Sequence, residues 1–425
     1  MLATILLAFA GAMATPSDDA FETITLKNGI QVHLLPFEGS KHFAMFSIVP
    51  YGLTTDGEGK AQWSHLIEHL IATSIQPTYD YQQINAETMF DCMHLDFVRE
   101  AEHWREGVER HATWLAVPKF SQEDMDREVP RVIDEVAGLD AQGMTAKFAL
   151  AAWSQVAGWG TKDVSMNEHL RGLKAEAINE YASGRLFDGH PAQIVVAGAF
   201  DRESLVPVLE EKIGSLELAE PQPLEAPKEE PELPEIASWD LATPHYFMFW
   251  PVPTELRSDG LLLDLARLLA YTAWMQRPGA PVPEGTYPAI ESRAYAGGRM
   301  HLVISVKIND ASPETLAAAK AHGEAFGVAM PKIIPRTYVM MGKQTAMTVQ
   351  QLRDPEATLA RSVDRYPRRM IEGNLAVQLG LTLFHTPEGL EKRIERLQGL
   401  GEKDRDLLLE LFDPKTRREV FVLPR

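Results

Sequence analysis

The chain has 425 residues, of which 45% are hydrophobic and 24% charged, as is ordinary for a folded protein with two or more domains. Sixty acidic residues against 41 Lys and Arg give a net charge of −19, which argues against nucleic acid as a main partner. The single cysteine, Cys92, excludes an internal disulfide and leaves histidine and carboxylate side chains as ligands for any metal.

Residues 1–14 have the pattern of a cleaved secretory signal. An apolar run from Leu2 to Ala10 precedes Ala12-Met13-Ala14, a small-residue cleavage pattern. The run is too short to span a bilayer, and no later stretch is a transmembrane candidate. Because no Lys or Arg precedes the run, an N-terminal helix or a mis-assigned start stays open. We expect a periplasmic or secreted protein.

Residues 15–218 predict an N-terminal half in which strands and helices are mixed. Asn28-Gly29 indicates a turn between two strand-like runs. Further strands are predicted at Ala44 to Val49, Met93 to Val98 and Gln193 to Phe200. Helices are predicted at Gln62 to Ser74, at Glu100 to Leu115, from Ser121 onward and at Arg202 to Ile213. This pattern predicts an α+β unit with helices on one face of its sheet.

Residues 219–237 are predicted to be an extended linker, because Glu220 to Glu235 contains five prolines and six glutamates. Residues 238–425 predict a C-terminal half of comparable length that ends in a strand at Glu419 to Pro424. Its helices are predicted at Leu261 to Met275, Glu314 to Phe326, Met340 to Gln351 and Pro387 to Leu397. The similar composition of the two halves suggests a duplicated unit.

The stretch QWSHLIEHLIATS, from Gln62 to Ser74, carries the chemistry. His65 and His69 are four residues apart, so a helix places both imidazoles on one face, close enough to share a metal ion. The carboxylate of Glu68 can then lie beside the metal without binding it. The order H-x-x-E-H is the inverzincin signature. Two core histidines and a solvated glutamate are the alternative, but burying these groups without a partner would be costly.

Zinc held by two histidines needs at least one more protein ligand and an open position for water. Carboxylates cluster in MDREVPRVIDEVAGLD, where Glu128, Asp134 and Glu135 are candidates. Glu128 and Glu135 would share a helix face if the helix is continuous, although Pro130 between them could kink it. The spacing selects none of the three.

The chain resembles the pitrilysin/insulinase family of zinc metallopeptidases, particularly its shorter members similar to mitochondrial processing peptidase. HLIEH (His65 to His69) is the specific element of this resemblance. Weaker matches follow in order over nearly the whole chain: LKNGIQV (Leu26 to Val32), INAET (Ile84 to Thr88), the pair Glu128 and Glu135, IVVAGAFD (Ile194 to Asp201) and the terminal strand.

The resemblance implies a Zn²⁺ site. His65, His69 and Glu135 are its implied ligands, and Glu68 is the general base that activates a zinc-bound water. Glu128 is implied to be a nearby acid that tunes the site. The implied fold is α+β, with two homologous halves in a clamshell arrangement, each a mostly antiparallel sheet with helices packed on one face.

The resemblance also implies residues that bind a peptide substrate. Asn85 and Ala86 match the edge strand to which a peptide adds as an extra strand. Active members supply an Arg and a Tyr to the substrate carbonyl from the C-terminal half. Tyr287 matches the tyrosine, whereas Arg277 and Arg293 fit the spacing loosely, so the resemblance implies a second chain that supplies the missing group.

The implied function is a zinc-dependent endopeptidase that cleaves peptides or unfolded segments inside a closed chamber, as a homodimer or with a homologous subunit. The alternative is a non-catalytic or obligate partner subunit of a two-chain peptidase of the same family. A metal-storage or sensor protein is disfavoured, because Glu68 would have no role in it.

Overall fold

The structure is a computed structural model. It describes residues 21–53, 55–57, 59–75, 84–89, 92–141, 162–164, 166–183, 192–218, 232–239, 243–275, 288–295, 299–353, 355–362, 367–385 and 389–425. The predicted signal sequence, residues 219–231 of the predicted linker, Arg277 and Tyr287 lie outside these residues. Within them, no helix is both long enough and apolar enough to cross a membrane.

Twelve strands and twelve α-helices lie in the described residues. The strands are β1 (Glu22–Thr25), β2 (Gln31–Pro36), β3 (His42–Val49), β4 (Ile84–Thr88), β5 (Met93–Glu100), β6 (Asp163–Val164), β7 (Gln193–Gly198), β8 (Ile236–Trp239), β9 (His245–Pro251), β10 (Ala289–Tyr295), β11 (Arg299–Lys307) and β12 (Arg418–Pro424). The helices are α1 (Trp63–Ile75), α2 (Trp104–Leu115), α3 (Gln122–Ala141), α4 (Met166–Arg171), α5 (Ala175–Ser183), α6 (Arg202–Lys212), α7 (Gly260–Met275), α8 (Pro313–Arg353), α9 (Pro355–Ser362), α10 (Arg368–Phe384), α11 (Leu390–Gln398) and α12 (Glu402–Leu411).

The strands form two sheets that repeat one topology. The first sheet has the order β1-β2-β7-β3-β5-β4, and the second has the order β10-β11-β9-β12-β8-β6. Read from β4 and from β10, both sheets begin with three antiparallel pairings, followed by a parallel one. The matching order and directions support a duplicated unit.

The outermost strand is where the two sheets differ. In the first sheet β1 pairs antiparallel with β2, whereas in the second sheet β6 pairs parallel with β8. Residues 163–164 thus lie in the N-terminal half of the sequence but complete the sheet of the C-terminal half. Strand β8 begins at Ile236, so the last two residues of the predicted linker belong to this sheet.

The first sheet has a buried face on each side. Phe43, Met45 and Leu95 point to one face, where they pack on apolar residues of α1, α2, α3, α5 and α6. The neighbouring residues Ala44 and Phe46 point to the other face, because side chains alternate along a strand. That face is covered by α10 of the C-terminal half. The shared apolar cluster joins the two halves.

The second sheet packs its own helices in the same way. Tyr246, Met248 and Trp250 of β9 contact apolar residues of α7, α8 and α12. The α+β fold of two homologous halves in a clamshell arrangement, with mostly antiparallel sheets, is therefore confirmed, and each sheet packs helices of its own half on one face. Helix α10 also covers the other face of the first sheet, which was not predicted from the sequence.

Two local predictions in the C-terminal half were wrong. Helix α8 runs unbroken over 41 residues, where separate helices at Glu314 to Phe326 and at Met340 to Gln351 were expected. Packing on α7 and α11 holds both segments in line. Helix α11 begins at Leu390 rather than at Pro387, because Gly389 precedes it with a φ of 95° that a helix does not allow.

Candidate functional site

Two kinds of contact fix the position of helix α1: its apolar side chains pack in the core, and the buried carboxylate of Asp56 binds its N-terminus. Leu66, Ile67 and Leu70 lie in the core of the N-terminal half. Asp56 accepts hydrogen bonds from the backbone N–H of Ser64 at 3.1 Å and from the hydroxyl of Tyr181 at 3.1 Å. A carboxylate at this position satisfies an N–H that the helix leaves unpaired and complements the helix dipole.

His65 and His69 lie one turn apart on α1, with ring centroids 4.8 Å from each other. Glu135 of α3 faces both rings. Its Oε1 lies 3.7 Å from Nε2 of His65, and its Oε2 lies 3.1 Å from Nε2 of His69. The three residues offer ligand atoms that lie within 4.8 Å of one another.

These distances fit a metal ion of the size of zinc. Four ligands at about 2.0–2.1 Å in a tetrahedron lie about 3.4 Å apart, which falls between the two measured separations. Two neutral imidazole nitrogens and one carboxylate oxygen are also a ligand set that zinc uses in catalytic sites, with a fourth position left open. His65, His69 and Glu135 could therefore hold zinc.

The electrostatics of the cluster favour a cation. Burial lowers the pKa of His65, which keeps this ring neutral. Burial alone would lower the pKa of His69 as well, but hydrogen bonding to Glu128 and Glu135 outweighs it and raises that pKa to about 10. The rings of His65 and His69, which both face Glu135, hold the pKa of its carboxyl group below its usual range. A metal ion bound here would displace the proton of His69 and replace its charge.

Glu128 contacts His69 but is not one of the three residues that could hold the metal. Its Oε2 is 3.5 Å from Nδ1 of His69, on the side of the ring that faces away from Glu135. Arg127 and Arg131 donate to its other oxygen at 2.8 and 3.0 Å. These contacts outweigh the effect of burial and lower the pKa of Glu128 to about 2. Glu128 is therefore an ionised acceptor suited to orienting His69.

Helix α3 is continuous through Pro130, which places Glu128 and Glu135 on the same side as His69. Pro130 is exposed, so water can reach the carbonyl group that loses its helical hydrogen bond. Asp134, the third candidate from the sequence, is exposed and does not join the cluster.

Glu68 points to the edge strand β4. Its Oε2 accepts a hydrogen bond from the backbone N–H of Thr88 at 2.7 Å. Within the described residues its carboxylate has no second hydrogen bond, so one oxygen stays available for proton transfer. This contact connects the candidate base directly to the strand that carries Asn85 and Ala86. Asn85 is exposed and Ala86 is half-buried.

Strand β4 ends the first sheet and has no strand on its outer side within the described residues. An exposed strand edge of this kind can pair with an extended peptide. The backbone of β10 includes Arg293, whose side chain is not described, and Tyr287 lies outside the described residues. The proposed Arg and Tyr therefore stay predictions.

A buried histidine secures β4 to β5. His94 of β5 lies 3.0 Å from Oδ1 of Asp96 and 3.6 Å from Oε2 of Glu87, its direct partner on β4. Burial opposes the charge on this ring, but the two carboxylates outweigh it and raise the pKa of His94 to about 9. At neutral pH the ring is an imidazolium that pairs with both strands.

We expect this imidazolium to stabilise the protein below pH 9. A histidine has a pKa of about 6.5 when unfolded, so the contribution is complete below that pH and is lost as the pH rises through about 9. His94→Gln should lower the free energy of unfolding by about 2–3 kcal/mol at pH 6 and by much less at pH 10. Urea unfolding at both pH values measures the difference.

His111 provides a control with the opposite sign. It is fully buried beside Ser47, and burial lowers its pKa to about 3. Its contribution should be present above pH 6.5 and lost as the pH falls towards 3. A difference for His94→Gln that grows with rising pH would contradict the assignment of His94 as a cation.

The C-terminal half has no equivalent of this site in its described residues. Counted from the first residue of each helix, Leu262, Leu265 and Ala266 of α7 occupy the positions of His65, Glu68 and His69. All three are buried in the apolar core of that half. Within the described residues, only the N-terminal unit therefore carries this cluster of two histidines and a glutamate.

Three contributors to the site were not predicted from the sequence. Gln62 contacts His65, the backbone N–H of Thr88 contacts Glu68, and Asp56 holds the start of α1. A backbone N–H has no sequence signal, and Asp56 lies eight residues from its partner Ser64. Gln62 belongs to the motif segment, but its type alone does not indicate a role.

No protein-family model and no curated protein sequence matches the chain. Solved structures match its fold. A protease from Helicobacter pylori matches with a TM-score of 0.60 at 14% identity, covering 96% of this chain and 100% of that one. The peptidase M16 inactive domain from Pseudomonas fluorescens matches with a TM-score of 0.60 at 11% identity, covering 95% and 98%.

Pitrilysin matches with a TM-score of 0.57 at 14% identity, covering 96% of this chain but 45% of pitrilysin. The chain has the fold of the M16 peptidases. At these identities the likeness concerns the fold, so the roles of individual residues rest on the geometry of this chain. The chain spans about half the length of pitrilysin and nearly the whole of the other two.

Proposed function

We propose that this protein is a zinc-dependent endopeptidase that cleaves peptides or unfolded segments. His65, His69 and Glu135 are the proposed zinc ligands, and Glu68 is the proposed general base. The proposal rests on one observation above all: Glu135, from a separate helix, faces both histidines of the H-x-x-E-H segment at 3.7 and 3.1 Å. Glu68 on the same segment stays outside this cluster, as a base must.

Bound zinc would supply an electrophile for the scissile carbonyl and would acidify a water molecule near neutral pH. Glu68 takes the proton of the attacking water on its free oxygen and passes it to the leaving amine. Thr88 holds the other oxygen of Glu68 in place through its backbone N–H. Asn85 and Ala86 on β4 pair with the extended substrate, which places the peptide beside the base.

The proposed reaction chamber needs a second unit. This chain spans less than half the length of pitrilysin, so a homologue or a second copy would complete the enclosure and supply the Arg and Tyr. The runner-up function is a non-catalytic or obligate partner subunit. It is favoured by the match to a Pseudomonas fluorescens domain that is named as inactive.

Hydrolysis of a quenched fluorescent peptide library by the purified chain tests the proposal. We expect cleavage that a chelator abolishes and zinc restores. Cleavage that resists the chelator would contradict a metal mechanism. If zinc binds but the chain alone cleaves nothing, and a homologous subunit restores cleavage, the obligate-partner function replaces the proposed one.

We also propose export to the periplasm or beyond, on the basis of the apolar run and the Ala12-Met13-Ala14 pattern. Expression of the full chain should yield a mature protein that begins at Thr15. N-terminal sequencing measures this directly, and an intact Met1 in the extracellular or periplasmic fraction would exclude cleavage at this position.

A further inference from the structure

Gln62 stands immediately before α1 and carries two energetic costs. Its φ is 67°, in the left-handed region where a residue with a Cβ atom is strained. Its side chain is buried, and within the described residues the amide Nε2 has no hydrogen-bond partner. Glycine would avoid both costs. The side chain of Gln62 must therefore contribute something that a glycine could not.

That contribution is a contact with His65. Oε1 of Gln62 lies 3.0 Å from Nδ1 of His65. An amide oxygen only accepts hydrogen bonds, so Nδ1 of a neutral His65 carries the hydrogen and Nε2 carries the lone pair. Nε2 is the nitrogen that faces Glu135. The contact thus selects the tautomer in which the atom aimed at the cluster is able to bind a metal.

The strained backbone explains how the side chain reaches this ring. The carbonyl oxygen of Gln62 accepts from the N–H of Leu66 at 2.9 Å, so the chain turns into α1 at this residue. His69 is supported in a parallel way, because Glu128 lies 3.5 Å from its Nδ1. Each histidine has its own acceptor on the nitrogen that faces away from Glu135.

We propose that Gln62 is a positioning residue for the metal site, whose amide oxygen sets the ring orientation and the tautomer of His65. This role in metal binding rests on the proposed zinc function, whereas the contact between Gln62 and His65 is present without a metal. A positioning role differs from a structural one in a measurable way. It changes metal affinity even where the substitution leaves the stability of the fold intact or improves it.

Three substitutions separate these roles. Gln62→Met keeps the shape of the side chain and removes the acceptor, whereas Gln62→Glu keeps an acceptor. Gln62→Gly removes the acceptor and relieves the backbone strain. Zinc dissociation constants are measured by competition with a chromophoric chelator, and the Tm is measured on the zinc-free protein.

We expect Gln62→Met and Gln62→Gly to weaken zinc binding by about 10–100-fold, as is usual when a metal-binding histidine loses its outer partner. Gln62→Glu should keep an affinity close to that of the unmodified chain. The Tm of Gln62→Gly should match or exceed that of the unmodified protein. Equal zinc affinities for Gln62→Met, Gln62→Gly and the unmodified chain would overturn the proposal.

The tautomer is measured separately by ¹⁵N NMR of the histidine rings in the zinc-free, unmodified protein. We expect the hydrogen of His65 on Nδ1, and a hydrogen on Nε2 would overturn the proposal because the amide would then be reversed. This measurement also distinguishes the two failures. If the unmodified chain binds no zinc, the proposed function fails, while the NMR result still decides whether Gln62 sets the tautomer.

Discussion

Replacing Glu68 with glutamine is expected to reduce peptide hydrolysis by about 10²–10⁴-fold, the usual contribution of a general base, while zinc stays bound. The amide has the same shape as the carboxylate, and its oxygen can still accept from the N–H of Thr88. It cannot take a proton from water. Initial rates on a fluorescent peptide and the zinc content of the same sample measure the two effects.

The matched control for this experiment is Glu102→Gln, a change of the same kind at a glutamate whose side chain is 82% exposed. It should leave both hydrolysis and zinc content unchanged. Hydrolysis that persists in Glu68→Gln would remove Glu68 from its proposed role. Loss of zinc together with activity would show instead that Glu68 is a ligand, a role that its hydrogen bond to β4 does not favour.

Replacing Glu135 with alanine is expected to have the largest effect on zinc binding among the carboxylates of α3. It removes the group that faces both histidines, so the loss should exceed the roughly 10–100-fold that an outer-shell partner is worth. Glu128→Gln should fall within that smaller range, because Glu128 contacts only one of the two histidines, His69, through the Nδ1 atom that faces away from Glu135. Competition with a chelator gives the zinc dissociation constants of both variants, of a control variant and of the unmodified protein.

Asp134→Ala is the control, since Asp134 is the exposed neighbour of Glu135 on the same helix. Its zinc affinity should equal that of the unmodified protein. His65→Ala should also weaken zinc binding by more than about 10–100-fold, as is expected for Glu135→Ala. If Glu128→Gln lost more affinity than Glu135→Ala, the third ligand would be Glu128, and α3 would have to rotate to bring it to the Nε2 side of the rings.

Much of the fold could be predicted from the periodicity of apolar residues. Strands were predicted at Ala44 to Val49, at Met93 to Val98 and at the C-terminus. All three are strands in the structure, with ends that differ by a few residues. One face of each of these strands packs on helices of the same half. The apolar residues of these strands therefore follow a regular pattern that can be recognised without knowing the tertiary structure.

The longest helix was predicted from the sequence as two helices. Helices were predicted at Glu314 to Phe326 and at Met340 to Gln351, yet α8 joins the two and continues past Pro331 and Pro335. A proline removes one helical hydrogen bond, and packing on neighbouring helices can exceed that loss. The same reasoning applies to Pro130 in α3, where continuity brings Glu128 and Glu135 to one side. The packing energy between helices depends on the tertiary structure, so the presence of a proline in the sequence does not show whether a helix ends there.

The sequence by itself determined that His65, Glu68 and His69 lie together on one helix, because their spacing needs only the geometry of that helix. Tertiary structure decided everything that depends on a second element. It placed Glu135, and neither Glu128 nor Asp134, opposite both rings, it brought Thr88 to Glu68, and it set Gln62 against His65. Contacts between elements depend on packing angles and backbone conformation, which residue spacing does not encode.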